Sequence, residues 1–203
     1  MKGLIVNAEV RVLITDTAGN PRDWADFYDA ASYYCRGKVI WSVGDPIKSF
    51  LGGKNADGLQ SRIDIAPVLG TVGPLLGDKW MERTSVFYDR EVLFARDRHM
   101  CAYCGQKYSY NKLTVDHVVP RCQGGTNHWT NVVAACFPCN HYKAGRTPEQ
   151  AHMFPLFVPY APNLAEKFLL KGKNILGDQM DFLEARISKH SKLRGPDGKI
   201  VLN

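Results

Sequence analysis

Four cysteines in two closely spaced pairs are the residues of this chain with the clearest capacity for chemistry. They form two C-x-x-C motifs, Cys101 with Cys104 and Cys136 with Cys139. Paired cysteines at this spacing can supply the four thiolates of a tetrahedral zinc site. Because sulfur then takes all four positions, the metal stabilises the fold and binds no water. The sequence therefore predicts a structural zinc.

Between the two pairs lies an Asp116-His117 dipeptide, which predicts a second kind of chemistry. The segment 105–135 exceeds the roughly 15–20 residues that separate the pairs of a cysteine-only zinc ribbon, so it has room for an extra hairpin. An unperturbed imidazole has a pKa of about 6.5 and is mostly a free base at neutral pH. A carboxylate suits a hard cation such as Mg²⁺ or Mn²⁺. We expect the active site in this segment.

Composition limits the classes to which the protein can belong. The chain has 203 residues, of which 45% are hydrophobic and 23% charged, values that are typical of globular proteins. No apolar run approaches the roughly 20 residues that span a bilayer, and the N-terminus does not resemble a signal peptide. Paired cysteines outside the secretory route favour metal over disulfides. We expect a soluble, cytoplasmic protein without a membrane partner.

The net charge of +6 is concentrated around the cysteine motifs. Residues 90–146 contain 8 lysines and arginines but only 3 acidic residues. A basic surface around a candidate active site favours a polyanionic substrate.

Local patterns predict an α+β protein with three parts: a small α+β N-terminal domain (1–88), a domain that carries the motifs (89–153) and a C-terminal helical extension with a basic tail (154–203). In the first part we expect strands at 4–6, 10–14, 38–43 and 62–69, a helix at 21–34, and a loop at 49–59.

In the second part, Asp89 is expected to cap a helix that leads towards Cys101. A strand should end at the Asp116-His117 dipeptide, and residues 131–133 should return the chain to Cys136. A helix is expected to begin at Asn140, and a further one at residues 147–149.

These motifs together resemble the HNH endonuclease family, over roughly residues 96–146. The resemblance rests on the following segments, in this order: Cys101-Ala-Tyr-Cys104-Gly, Asp116-His117-Val-Val-Pro120-Arg121, Gly124-Gly125, Trp129-x-Asn131, and Cys136-x-x-Cys139-Asn140-x-x-Lys143. It implies a ββα-metal finger, in which two strands and a helix hold one divalent cation at the scissile phosphate. The Cys₄ zinc would identify a zinc-stapled subgroup.

The resemblance also implies roles for individual residues. His117 corresponds to the general base, and Asp116 to a ligand of the catalytic cation. Asn131 corresponds to the middle motif residue, which braces the loop and helps to orient the catalytic histidine. Asn140 corresponds to the second cation ligand, where the name of the family has histidine, so the neighbouring His141 stays open as an alternative ligand.

Three basic residues are candidates for holding DNA phosphates: Arg121, Lys143 and Arg146. The leading hypothesis is a Mg²⁺- or Mn²⁺-dependent endonuclease that hydrolyses DNA and leaves 3′-OH and 5′-phosphate ends. A non-catalytic zinc module that binds nucleic acid is the alternative from another class. A homodimer, or a part in a larger phage or restriction DNA-processing complex, is a further expectation.

Overall fold

The computed structural model describes residues 10–75 and 88–202. These residues divide into two compact units, one made of residues 10–75 and 172–187 and the other of residues 88–171 and 188–202. The predicted C-terminal extension is therefore shared between the units. Within the described ranges, none of the helices has the length and apolar character that crossing a bilayer requires.

The architecture is α+β, as the sequence predicts. The strands are β1 (Val12–Thr15), β2 (Pro21–Ala25), β3 (Val39–Val43), β4 (Lys48–Lys54), β5 (Gln60–Ile65), β6 (Val68–Thr71), β7 (Leu113–His117) and β8 (Val132–Cys136). The helices are α1 (Phe27–Cys35), α2 (Arg90–Arg96), α3 (Phe137–Lys143), α4 (Pro148–Ala151), α5 (Leu164–Lys171) and α6 (Gly177–Glu184).

The first unit is built on a four-stranded sheet in the order β2-β1-β6-β3, in which only β1 and β6 run parallel. Helix α1 packs Ala30 and Tyr33 against the buried side chains of Val12, Ile14 and Leu69. Helix α6 belongs to the same unit.

The predicted helix at 21–34 is wrong in its first part. Pro21–Ala25 forms the edge strand β2 of this sheet, and a proline is tolerated at the first residue of an edge strand. Helix α1 begins after Asp26, whose carboxylate accepts hydrogen bonds from the N–H groups of Tyr28 and Asp29. The cap therefore sets the start of the helix.

Two other predictions in this unit also need correction. The predicted loop at 49–59 contains most of β4, which pairs with β5 as an antiparallel hairpin. Two of the glycines that indicated a loop, Gly52 and Gly53, lie where the pairing shifts register, between Leu51 and Lys54, because an irregular ladder accepts glycine. The predicted strand at 62–69 is divided into β5 and β6. The strand expected at 4–6 lies outside the described residues.

The second unit contains the ββα arrangement. Strands β7 and β8 are antiparallel, with His117 opposite Val132 and Leu113 opposite Cys136, and α3 follows β8 directly. Asp89 caps α2 through a hydrogen bond from the N–H of Glu91, as predicted. The core between α2 and the strands consists of Val92, Leu93, Phe94, Leu113, Trp129, Val132 and Ala134.

A buried arginine holds β8 and the loop before it against α2. The guanidinium of Arg96 donates to the carbonyl oxygens of Trp129 and Val132, both at 2.8 Å. It also pairs with Asp97, whose Oδ2 accepts the N–H of Ala134 at 2.7 Å. Burial raises the pKa of Asp97 although Arg96 and the N–H of Ala134 oppose the shift. This network positions the strand that faces β7.

Candidate active site and metal centre

The four motif cysteines meet at one point. Their Sγ atoms all lie within 4.8 Å of one another. A tetrahedral zinc with Zn–S bonds of about 2.3 Å requires sulfurs about 3.8 Å apart, so a small adjustment would place all four on one ion. Burial raises the pKa of Cys101. Burial also acts to raise the pKa of Cys104, but hydrogen bonds with the Gln106 backbone and with Cys101 outweigh it and lower the pKa to about 7.

The turn at residues 101–104 carries the first cysteine pair and is called the cysteine knuckle. It is attached to β8. The N–H of Ala102 donates to Ala134 O at 2.8 Å, and Ala102 O accepts the N–H of Leu156 at 2.7 Å. The second pair spans the end of β8 and the first turn of α3. The cluster therefore joins both pairs at the base of the ββα arrangement.

Asp116 lies near the end of β7 with its carboxylate buried. The ammonium of Lys143 is 3.2 Å from Oδ1 and 3.1 Å from Oδ2, and the hydroxyl of Tyr103 donates to Oδ2. Burial and the adjacent Asp116 carboxylate raise the pKa of Tyr103, so its hydroxyl remains a donor at neutral pH. The carboxylate is thus held from the cysteine knuckle on one side and from α3 on the other.

The placement of Lys143 does not fit its predicted contact with DNA. The side chain is fully buried, and besides Asp116 its ammonium donates to His117 O at 2.7 Å. Lys143 is the last residue of α3 and faces β7. An ammonium enclosed in this way is a partner for Asp116 and is not presented to a phosphate in solvent.

The ring of His117 is half-buried, and its Nε2 lies 2.6 Å from Oδ1 of Asn127. An amide oxygen can only accept a hydrogen bond, so this contact requires a proton on Nε2; in the neutral imidazole, Nδ1 is then the unprotonated nitrogen. Asn127 belongs to none of the sequence motifs quoted above. An amide side chain in the loop between His117 and Asn131 was the available signal.

Asn131 closes the loop that carries Asn127. Its Oδ1 accepts the N–H of Val119 at 2.9 Å, and its Nδ2 donates to Val119 O at 3.1 Å and to Thr126 O at 2.9 Å. The same loop requires glycine at position 125, since a Cβ there would lie 1.7 Å from Val119 O. These contacts bring the loop back beside His117.

The two candidates for the second cation ligand lie on different sides of α3. Asn140 faces β7: its Nδ2 donates to Thr114 Oγ1 at 2.8 Å and to Val115 O at 3.4 Å. His141 is exposed and stacks on Phe137, with the ring centroids 5.6 Å apart. With Nδ2 engaged on the strand, Oδ1 is the Asn140 atom that could bind a cation.

The other two predicted basic residues are exposed. Arg121 lies in a short 3₁₀ turn after Pro120. The Nε of Arg146 donates to Lys143 O at 3.1 Å, and its guanidinium lies 5.2 Å from the centre of the Tyr142 ring. Both charges remain accessible to a ligand.

Comparison with known proteins agrees with this geometry. Residues 101–156 match the model of the HNH endonuclease family. A segment of 54 residues is 46% identical to the CRISPR-associated endonuclease Cas9 of Corynebacterium diphtheriae. That alignment covers 26% of this chain and 5% of the relative, so the similarity concerns one domain of a much larger protein.

The predicted resemblance is therefore confirmed for this segment: residues 101–156 match the HNH endonuclease family. The four-cysteine cluster and the ββα arrangement fit its zinc-stapled form. A match to this family supports nuclease activity in general.

Proposed function

We propose that this chain is a divalent-metal-dependent endonuclease that hydrolyses phosphodiester bonds of DNA and leaves 3′-OH and 5′-phosphate ends. The observation that carries the proposal is the 2.6 Å contact between His117 Nε2 and Asn127 Oδ1; the preceding residue, Asp116, has a buried carboxylate. With the proton of the neutral imidazole on Nε2, Nδ1 is a group of the kind that can activate a water molecule.

In this mechanism His117 is the general base. Its Nδ1 accepts a proton from the attacking water, after which both ring nitrogens carry protons. Asn127 Oδ1 keeps accepting the Nε2–H, so the ring does not have to rotate during the step. Asn131 maintains the loop that presents Asn127.

Asp116 and Asn140 are the residues that would hold the catalytic cation, Mg²⁺ or Mn²⁺. Oxygen donors suit such hard ions, and a carboxylate has about four lone-pair positions, more than Tyr103 and Lys143 occupy. A bound cation would stabilise negative charge on the reacting phosphate and on the leaving oxygen. The ammonium of Lys143 opposes a second positive charge at this carboxylate, so we expect weak, reversible cation binding.

The four cysteines would hold a structural zinc, which supplies folding energy that a small ββα unit lacks. Free thiolates persist in a reducing compartment, and this favours the cytoplasm as the location of the protein. The excess of basic residues in 90–146, with Arg121 and Arg146 exposed, favours DNA as the polyanionic substrate.

The test is cleavage of supercoiled plasmid by the zinc-loaded protein with Mg²⁺, with Mn²⁺ or with EDTA. We expect cleavage with either cation and none with EDTA. His117→Ala should lower the rate by about 10²–10⁴-fold, the usual contribution of general-base catalysis. His128→Ala is the matched control, because this histidine is exposed in the loop between β7 and β8.

A folded His117→Ala variant that cleaves at the wild-type rate would refute the assignment of the base. Plasmid binding without cleavage under any of these conditions would instead support the alternative, a non-catalytic zinc module that binds nucleic acid.

A further inference from the structure

We infer that Tyr103 is a positioning residue, which holds the Asp116 carboxylate in the orientation that binds the catalytic cation. The inference deepens the proposed function and rests on it. Tyr103 lies between the two cysteines of the first pair, and its hydroxyl donates to Oδ2 of Asp116.

The ring of Tyr103 stands on the cysteine cluster. It packs against the buried group of Cys101, Ala135 and Cys136, as does the ring of Tyr108. The backbone beneath Tyr103 is attached to β8 and to Leu156 through both hydrogen-bonding groups of Ala102. The hydroxyl therefore comes from a rigid support, at a fixed place relative to β7.

Two donors on separate supports determine how the Asp116 carboxylate is turned. Lys143 approaches it from α3 at 3.1–3.2 Å, and Tyr103 approaches it from the knuckle. The χ2 angle of an aspartate, which turns its carboxylate, covers a broad range of values when no neighbour restricts it. Without the tyrosine hydroxyl, Lys143 alone would orient the carboxylate. The free energy needed to order the carboxylate would then weaken cation binding.

Loss of a side chain that orients a metal ligand typically costs about 10–100-fold in metal affinity. We therefore expect Tyr103→Phe to weaken cation binding by a factor of this order. The variant keeps the aromatic ring, so the packing on the cysteine cluster and the zinc content should not change.

Tyr108→Phe is the matched control. Tyr108 packs on the same cluster, but its hydroxyl lies 3.8 Å from Cys104 Sγ and 3.5 Å from Gln106 Oε1. The experiment measures binding of Mn²⁺ to the zinc-loaded protein by electron paramagnetic resonance, without DNA, together with zinc content. Only Tyr103→Phe should bind Mn²⁺ more weakly.

Wild-type Mn²⁺ affinity in Tyr103→Phe would overturn the inference. It would also be overturned if both tyrosine variants weakened binding equally and lost zinc, since the effect would then come from packing on the cluster. If the wild type binds Mn²⁺ and only Tyr103→Phe binds it weakly, the inference holds, even where no substrate is cleaved and the proposed function fails.

Discussion

Replacement of Lys143 by methionine tests how the candidate site balances its buried charges. The side chain of Lys143 is 0% exposed and that of Asp116 is 5% exposed, with Nζ 3.1 Å from Oδ2. Lys143→Met keeps most of the length and the apolar stem of the side chain. It removes the positive charge and leaves Asp116, among the described residues, with the Tyr103 hydroxyl as its side-chain donor.

The expected loss follows from this burial. Removal of one partner from a buried ion pair lowers the free energy of unfolding by about 3–5 kcal/mol, because the other charge stays buried without compensation. Whole domains are stable by only about 5–15 kcal/mol, so the loss should be easy to detect.

Lys171→Met is the matched control in the same unit. Lys171 also pairs with an aspartate, Asp89, but at 3.5 Å and with side chains that are 42% and 47% exposed. Exposed pairs of this kind contribute about 0–1 kcal/mol. The two substitutions are chemically identical and differ in burial.

The assay is urea unfolding of the zinc-saturated proteins. The free energies of unfolding are compared between variants whose m-values, the slopes of this free energy against urea concentration, are the same. Added Mg²⁺ should recover part of the loss in Lys143→Met, because a cation bound to Asp116 can replace the missing charge. A loss below about 1 kcal/mol, equal to that of Lys171→Met, would refute the reasoning: Asp116 would then behave as a solvated carboxylate.

Two further predictions concern the remaining polar residues of the site. Asn140→Ala should raise the Mg²⁺ concentration needed for half-maximal plasmid cleavage, while His141→Ala should change it little; the reverse order in the two titrations would identify His141 as the ligand. Asn127→Leu should slow single-turnover cleavage on the order of 10²-fold, whereas Asn127→Asp, which keeps the acceptor, should retain most of the rate. The ¹⁵N spectrum of the His117 ring checks the second prediction directly, since an Nε2–H tautomer in the wild type and a mixture in Asn127→Leu are expected.

The spacing of residues close in sequence determined the cysteine cluster, the starts of two helices and the order of elements in the second unit. Two residues between paired cysteines let both thiolates approach one ion, so the cluster was predictable from the chain alone. Asp89 and Thr147 begin α2 and α4 as predicted, because a cap bonds to N–H groups two or three residues away. The succession of β7, β8 and α3 followed from the same local signals, but α3 begins at Phe137 and not at the predicted Asn140.

Contacts between residues distant in sequence determined which segments form strands and which basic residues are buried. The sequence predicted neither β2 nor the β4–β5 hairpin, because proline and glycine signals outweighed strands whose stability depends on a neighbouring strand. The same limit applied to the basic residues, since nothing in the local pattern distinguishes a solvated lysine from a buried one.

The contacts of the candidate site likewise arose from tertiary structure. His117 meets Asn127 across 10 residues, Tyr103 meets Asp116 across 13, and Lys143 meets Asp116 across 27. The motif determined which residue types are present, but their partners depend on the register of β7 against β8 and on the side of α3 that packs against β7. Those features are set by the core around Leu113, Trp129 and Val132, and for this reason the burial of Lys143 could be learned only from the folded chain.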